Sequence, residues 1–153
     1  MPIIDSLVGS LSYQVDPSGA LTHLFFGEHH FPGQASRELE LQLEQFFSRS
    51  RQEFDFALAP EGSRFQMSVW EQLQRIPYGE TRSYIDIARA LGDAGLTRAV
   101  GSANHANPIA ILIPCHRVIG ASGQLVGFGG GLDIKAKLLD FESGVRSLFD
   151  QPE

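Results

Sequence analysis

The hydrophobic pattern of the first sixty residues predicts a small α/β unit. Two β-favouring runs, residues 6–15 and 20–26, flank residues 16–19, whose Asp-Pro-Ser-Gly sequence is typical of a type I turn. They predict a hairpin. Leucines and phenylalanines at helical spacing predict a helix over residues 36–48, and alternating apolar positions predict a strand over residues 54–58.

Helical patterns dominate after the turn-forming residues 60–62. Residues 63–66 fit a capping box and begin a helix with one apolar face. Ser83 is predicted to cap a second helix, which Gly92 ends. Thr97 is predicted to cap a third helix, over residues 98–104. Two short helices joined by a glycine-containing turn are the outline of a helix-turn-helix, although many helical proteins contain such corners.

The length and composition of the chain indicate one domain or two small ones. We divide it into residues 1–60 and 61–153. The chain has 153 residues, of which 42% are hydrophobic. No apolar run approaches the roughly 18 residues that cross a bilayer, and the N-terminus lacks an export signal, so we expect no membrane contact and a cytoplasmic location. The formal charge of −6 argues at first against nucleic acid as a partner.

The single cysteine, Cys115, excludes an internal disulfide and a cysteine-rich zinc site. It ends an apolar run, 107–114, and is followed by His116 and Arg117. A cysteine in this position is either a small buried hydrophobe or a thiolate stabilised by its two neighbours. Adjacent side chains on a strand point to opposite faces, so His116 assists Cys115 only if Pro114 forces a turn or a water bridges the two.

The last part of the chain predicts a hairpin, a glycine-rich loop and a helix. Residues 118–119 and 125–126 flank Ser122-Gly123 and are compatible with a hairpin. The glycines within 127–131 lack the spacing of a phosphate-binding loop, so we interpret them as a place of close backbone approach to a ligand. A closing helix is predicted over residues 133–142.

Taken together, these residues resemble a known family. The run Ile113-Pro114-Cys115-His116-Arg117-Val118-Ile119-Gly120 resembles the active-site motif of the O6-alkylguanine-DNA alkyltransferases, also called methylated-DNA–protein-cysteine methyltransferases. The likeness extends, in order and spacing, through Phe65-Gln66, Val69-Trp70, Ile76-Pro77-Tyr78-Gly79, Ser83-Tyr84, Arg98-Ala99-Val100-Gly101, Asn107-Pro108, Gly130-Gly131-Leu132, Lys135 and Glu142. The resemblance implies an α+β protein with a small N-terminal α/β, ribonuclease H-like domain before a mostly helical winged helix-turn-helix domain.

The resemblance implies direct-reversal DNA repair without turnover. Cys115 matches the acceptor that takes the alkyl group of O6-alkylguanine irreversibly, and O4-alkylthymine is a second candidate substrate that the sequence leaves open. His116 matches the histidine that removes the thiol proton through a water, and Glu142 the carboxylate that orients it. Tyr84 matches the tyrosine whose hydroxyl helps the guanine ring to leave. Asn107 matches an asparagine that holds the loop before the cysteine by hydrogen bonds.

The resemblance also implies a substrate pocket. The carbonyls of Cys115 and Val118 are expected to accept from the exocyclic amine of guanine. Phe128 stands where many relatives carry tyrosine and Gly129 where some carry serine, so the pocket wall keeps its shape and loses polar contacts. Gly130 belongs to the same loop, and Lys135 is expected either to support that loop or to be solvated.

The DNA contacts implied by the resemblance centre on the third helix, in the minor groove of alkylated double-stranded DNA. Arg98 matches the finger that fills the space left by an extruded nucleotide. Small side chains beside it let the helix approach DNA closely. The remaining predicted contacts are Thr97, Ala99, Gly101, Ser102 and Arg117. A monomer is expected, associated with the nucleoid in a bacterium, with no cofactor and no metal.

Three other functions compete with repair. A branch of the family that binds alkylated DNA without repairing it lacks the acceptor cysteine, which is present here. A cysteine hydrolase using Cys115 and His116 predicts many turnovers. A winged-helix regulator requires more base-reading side chains than Arg98 and its small neighbours supply.

The distribution of charge reconciles the net charge with DNA binding. Residues 1–60 carry three basic and eight acidic side chains, a net of 3 − 8 = −5, whereas residues 62–120 carry six and four, a net of 6 − 4 = +2. The acidic excess therefore lies outside the segment that matches the DNA-binding elements of the family.

This distribution predicts weak binding of undamaged DNA with a shallow salt dependence, because few basic side chains are present to displace counterions from phosphates. Fluorescence anisotropy of a labelled undamaged duplex, titrated at several salt concentrations, measures the slope of log K against log salt. A slope that corresponds to about six or more phosphate contacts contradicts the prediction.

Overall fold

The computed structural model describes residues 2–123 and 131–144, and the chain forms two compact units. The first unit comprises Met1–Gly62 and Pro108–Leu112, and the second comprises Ser63–Asn107 and Ile113–Glu153. The boundary predicted between residues 60 and 61 lies near the point where the chain first passes from one unit to the other, between Gly62 and Ser63. No sequence feature indicated that Pro108–Leu112 pack with the first unit. The mixture of helices and strands agrees with the predicted class.

The first unit contains a three-stranded antiparallel sheet in the order β1-β2-β3, formed by β1 (Ile3–Ser6), β2 (Gly9–Val15) and β3 (Leu21–Phe26). The predicted hairpin is confirmed as β2 and β3. Its turn is held by Asp16, whose Oδ1 accepts hydrogen bonds from the backbone N–H groups of Ser18 and Ala20 at 2.9 and 3.0 Å.

Helix α1 (Arg37–Phe47) confirms the helix predicted over residues 36–48. It begins at Ser36, whose hydroxyl accepts from the backbone N–H of Leu39. Leu39, Leu43 and Phe46 are buried, as the 3–4 residue spacing requires. The helix is tied to the sheet by the Tyr13 hydroxyl, which donates to the carboxylate of Glu40.

The strand predicted over residues 54–58 is wrong. Within residues 54–58, all of them described, the β-structure is limited to an isolated parallel bridge between Leu58 and Leu21. The backbone N–H and carbonyl of Asp55 are instead satisfied by the side-chain amide of the buried Gln42, at 2.9 Å each. A buried glutamine thus takes the hydrogen bonds that a neighbouring strand would make, and alternation alone does not reveal this.

Residues Pro108–Leu112 complete the first unit by pairing with β3. The N–H of Leu24 donates to the carbonyl of Pro108, and the N–H of Ala110 donates back to the carbonyl of Leu24, both at 2.9 Å. Ile111 then adopts a φ of 70°, which is rare for a β-branched side chain. The chain leaves this unit immediately afterwards and enters the segment that carries Cys115.

The second unit is mostly helical. Its helices are α2 (Arg64–Gln74), α3 (Tyr84–Ala90), α4 (Thr97–His105) and α5 (Leu132–Ser143), with 3-10 turns at Ala94–Leu96 and Cys115–Arg117. Among the helices described, none combines the length and the apolar character that a bilayer crossing requires. Trp70 anchors the packing of α2 against α4, since its buried indole N–H donates to the carbonyl of Ala103 at 2.8 Å.

Two of the three predicted helix caps in this unit are confirmed. Ser63 and Ser83 both form complete capping boxes, with Gln66 and Asp86 respectively. The cap predicted at Thr97 is wrong. A 3-10 turn precedes α4, so Thr97 is already the first helical residue, and its hydroxyl donates to the carbonyl of Ala94 at 2.6 Å.

A two-residue parallel ladder joins the segments that carry the site. Strand β4 (Arg82–Ser83) pairs with β5 (Val118–Ile119). Val118–Ile119 therefore has a parallel partner that the sequence did not predict, and residues 125–126 of the predicted hairpin lie outside the described residues. Because the ladder is parallel, Tyr84, which follows β4, and Cys115–Arg117, which precede β5, flank the paired residues at opposite ends.

Candidate active site

The backbone around Cys115 is a turn. Pro114 precedes a single 3-10 turn, Cys115–Arg117, which is closed by a hydrogen bond from the N–H of Arg117 to the carbonyl of Pro114 at 3.0 Å. Of the two ways in which His116 was expected to assist Cys115, the turn at Pro114 is therefore present. All three side chains of the turn are buried, although each of them carries an ionisable group.

His116 and Arg117 share one carboxylate, that of Glu142 on α5. The Nε2 atom of His116 lies 2.8 Å from Oε2 of Glu142, and both atoms are buried. The guanidinium of Arg117 forms a bidentate fork on the same carboxylate at 2.7 and 2.8 Å. Two residues that are adjacent in sequence thus hold a third that is 25 positions further along the chain.

The remaining hydrogen-bonding capacity of Arg117 is used inside the second unit. Its Nη1 donates to the carbonyl of Ile76 at 2.7 Å, and the guanidinium lies 5.7 Å from the ring centroid of Tyr78. The residue is 7% exposed. This placement argues against the predicted contact of Arg117 with DNA, because a guanidinium bound to Glu142 and Ile76 is not available to a phosphate.

The electrostatics of the pair make His116 a neutral base. Burial raises the pKa of Glu142, but the hydrogen bonds from His116 and Arg117 outweigh burial and hold it below the usual value. Burial lowers the pKa of His116, against the opposing effect of Glu142. Because an ionised Glu142 only accepts, the proton of the neutral ring belongs on Nε2, and Nδ1 carries the lone pair.

The Nδ1 atom of His116 is buried and has no hydrogen-bond partner among the described residues. An imidazole with one nitrogen bonded to a carboxylate and the other unpaired is the arrangement of a general base with its orienting acid.

The thiol of Cys115 needs such a base. Burial raises the pKa of the Cys115 thiol above its ordinary value. A hydrogen bond from the Asn107 side chain and the charge of Lys135 lower the pKa, but they offset only part of the effect of burial. Asn107 also donates from Nδ2 to the carbonyl of Ile113 at 2.8 Å, so it braces the loop that leads to the cysteine. At neutral pH the thiol is protonated, and nucleophilic attack requires that the proton be removed.

Lys135 of α5 is fully buried. Of the two alternatives expected for it, support of the loop or solvation, burial excludes solvation. Its Nζ donates to the carbonyl of Val118 and lies 5.9 Å from the ring centroid of Tyr84. Burial lowers the pKa of Lys135, and the nearby Cys115 opposes this shift. The Val118 carbonyl, expected to read guanine, thus already has a protein donor.

Tyr84 begins α3 and is partly buried. Burial raises the pKa of its hydroxyl, as does the charge of Cys115, while a hydrogen bond from Asn104 opposes both. Cys115 and Tyr84 are therefore close enough for their charges to interact. The sequence grouped these two residues only through the family resemblance.

Helix α4 presents its polar and small residues outward. Arg98, Ala99 and Ser102 are exposed, Thr97 and Gly101 are half-buried, and Val100 and Ala103 face the core. This is the division that the third helix needs if its outer face is to contact DNA. The predicted pocket residues Phe128, Gly129 and Gly130 lie outside the described residues.

Sequence reasoning missed three parts of this site. They are the carbonyl of Ile76, the ring of Tyr78, and Asn104, which is buried beside Cys115 and Tyr84. Ile76 and Tyr78 stand in a motif of the family resemblance to which no role was assigned. Asn104 follows Val100 by four positions and so falls on the apolar stripe of α4. A polar residue on such a stripe indicates a specific partner.

Comparison with known proteins agrees with this geometry. The family model "6-O-methylguanine DNA methyltransferase, DNA binding domain" matches residues 64–144, which is more than half of the chain. The methylated-DNA–protein-cysteine methyltransferase of Methanosarcina acetivorans is 57% identical over 106 residues, covering 69% of this chain and 68% of that protein. This chain belongs to that family.

Other members of the methylated-DNA–protein-cysteine methyltransferase family are similar in sequence and in structure. The protein of Mycolicibacterium paratuberculosis is 59% identical over 101 residues, covering 66% of this chain and 61% of its own length. A crystal structure of Mycobacterium tuberculosis OGT in complex with DNA superposes with a TM-score of 0.87 at 43% identity, covering 96% of this chain and 94% of the other. The likeness of fold thus extends over both units.

The buried His116–Glu142 pair predicts that this methyltransferase loses stability in acid. The folded state holds the pKa of His116 below its unfolded value of about 6.5, so below that pH the unfolded chain binds a proton that the folded chain excludes. The lowered pKa of Glu142 adds a further loss as the pH falls below about 4.3. Stability is therefore expected to be highest above about pH 7.

Urea unfolding at a series of pH values tests this expectation. The wild-type midpoint should fall between pH 7.5 and 5, and the fall should be smaller in a His116→Gln variant, which has no imidazole to protonate. An identical pH dependence of wild type and variant contradicts the assignment of this loss to His116.

Proposed function

We propose that this protein repairs O6-alkylguanine in DNA by transferring the alkyl group to Cys115 in a single turnover. The observation that carries the proposal is the arrangement of a buried thiol and a histidine with an unpaired Nδ1 in one turn. The Nε2 of that histidine is bound to a carboxylate that Arg117 keeps ionised. Family membership supports the same reaction.

The proposed reaction begins with removal of the thiol proton. It passes through one water to Nδ1 of His116, and the imidazolium that forms is stabilised by Glu142. The sulfur then uses its electron pair to form a bond to the alkyl carbon, while the bond from that carbon to O6 breaks and its electron pair passes to the guanine ring. The protein is left with an S-alkylcysteine.

The leaving guanine takes a proton from the hydroxyl of Tyr84, and proton exchange with solvent afterwards restores Tyr84 and His116. The charge of Lys135 favours the thiolate while it exists, since it lowers the pKa of Cys115. Breaking the new carbon–sulfur bond would have to expel a thiolate, which is a poor leaving group from a neutral thioether, so no step regenerates the thiol. Each molecule acts once.

Helix α4 is the proposed DNA-contacting element, as the recognition helix of a winged helix-turn-helix placed in the minor groove. Exposed Arg98 fills the space of the extruded nucleotide, because the alkyl carbon is not accessible in a stacked duplex. Thr97, Ala99, Gly101 and Ser102 lie on the same helix. The crystal structure of the related Mycobacterium tuberculosis OGT in complex with DNA supports DNA as the partner, and we propose that this DNA is double-stranded.

The remaining parts of the proposal concern the whole chain. The first unit is proposed as a ribonuclease H-like structural domain, and Phe128, Gly129 and Gly130 as the wall of the alkylguanine pocket together with Val118 and Lys135. We propose a monomer that works in the cytoplasm, where bacterial DNA is found. No cofactor is required by the steps above.

Transfer to Cys115 is tested by mass spectrometry. Incubation with an oligonucleotide that contains O6-methylguanine, followed by digestion, should add one methylene to the peptide that contains Cys115, with at most one equivalent consumed. A Cys115→Ser variant is the matched control and should remain unmodified. Consumption beyond one equivalent indicates a hydrolase, and absence of the adduct overturns the proposal.

The finger role of Arg98 predicts a substrate-dependent loss. An Arg98→Ala variant should react about tenfold more slowly with alkylated duplex DNA, since it no longer offsets the cost of base extrusion, and should react normally with a free O6-alkylguanine base. Single-turnover rates on both substrates measure this. Arg75→Ala removes the exposed arginine that follows α2 and should change neither rate. Equal losses on both substrates contradict a finger.

A further inference from the structure

Asn104 is a buried amide between two proposed functional groups. It lies on α4, is 2% exposed, and donates from Nδ2 to the carbonyl of Cys115 at 3.5 Å. A second hydrogen bond joins its side chain to Tyr84. Its Oδ1 is buried and has no partner among the described residues.

The two hydrogens of the amide account for both contacts. A side-chain amide offers two N–H donors from one nitrogen, and both acceptors, the Cys115 carbonyl and the Tyr84 oxygen, lie next to it. The bond to the carbonyl holds the amide in one orientation. When the nitrogen donates to the Tyr84 oxygen, the hydroxyl hydrogen of Tyr84 must point away from Asn104.

Burying this amide costs free energy that an apolar side chain would not. An unsatisfied buried acceptor such as Oδ1 is destabilising, and such groups are rare unless they have a role. The position is buried and lies four residues after the buried Val100, on the apolar face of α4, where leucine fits the helical pattern equally well. Packing therefore does not explain an asparagine here.

We propose that Asn104 is a positioning residue for alkyl transfer. Its amide is anchored on the Cys115 carbonyl and donates to the Tyr84 oxygen. This bond directs the Tyr84 hydroxyl at the leaving purine and stabilises the negative charge that develops on the Tyr84 oxygen as its proton is transferred. This inference rests on the role proposed for Tyr84. It also connects the exposed helix that carries Arg98 with the reacting groups, since both residues belong to α4.

A double-mutant cycle tests whether Asn104 acts through Tyr84. Asn104→Leu should lower the single-turnover rate on an O6-methylguanine oligonucleotide about tenfold or more, the usual effect of losing a hydrogen bond to a group that gains charge. In a Tyr84→Phe background the same change should cost less than about threefold. An equal loss in both backgrounds overturns the proposal.

A stability control separates positioning from general loosening of the core. Val69→Ala removes buried volume from α2 without altering any group described in the site. At a temperature where urea titration finds all variants folded, this control should react at nearly the wild-type rate. A loss in the control as large as that of Asn104→Leu contradicts a positioning role.

A readout independent of alkyl transfer keeps the inference distinct from the proposed function. Ultraviolet absorbance follows the ionisation of tyrosines in wild type and in Asn104→Leu, and the Tyr84→Phe pair identifies the contribution of Tyr84. Loss of the amide donor should move the ionisation of Tyr84 to higher pH. An unchanged titration overturns the inference, whether or not the protein forms an adduct at Cys115.

Discussion

The buried carboxylate of Glu142 is the group on which the rest of the site depends. It is 3% exposed and is kept ionised by the bidentate bond from Arg117, so its charge is compensated without water. Removing one partner of such a buried pair typically costs about 3–5 kcal/mol, a large share of the roughly 5–15 kcal/mol that stabilises a domain. The same bonds attach α5 to the turn at Cys115.

This pairing explains why histidine and arginine follow the cysteine directly. A 3-10 turn lets two adjacent side chains reach one carboxylate, which neighbours on a strand cannot do. Arg117 holds Glu142 in its charged form, and Glu142 holds His116 in the tautomer that leaves Nδ1 as the base. Burial meanwhile keeps the thiol of Cys115 protonated and the imidazole neutral. The reactive thiolate is therefore formed only when a proton is moved.

The two faces of helix α4 carry different kinds of residue. Its outer face carries exposed Arg98 among small residues, and its inner face carries Asn104, which contacts both Cys115 and Tyr84. Between them, Ala103 accepts a hydrogen bond from Trp70 that fixes the helix on α2. The face proposed to contact DNA and the contacts to Cys115 and Tyr84 thus belong to one helix.

The sequence by itself determined most of the elements and predicted the groups proposed to react. Local signals sufficed where the physics is local: the hairpin turn at residues 16–19, the capping boxes at Ser63 and Ser83, and the apolar stripes of α1 and α2. The motif around Cys115 and the resemblance to a family named the nucleophile, the base and the carboxylate.

Only the tertiary structure decided where those groups find their partners. Three hydrogen bonds illustrate this, and each joins residues 13 to 41 positions apart in the chain. They link Gln42 to Asp55, the buried Lys135 to Val118, and Arg117 to Ile76. Whether an arginine contacts DNA or a buried carboxylate depends on what surrounds it after folding, and no pattern along the chain records that. The charge of Arg117 was evident from the sequence, but only the fold shows that this charge is paired with the buried carboxylate of Glu142.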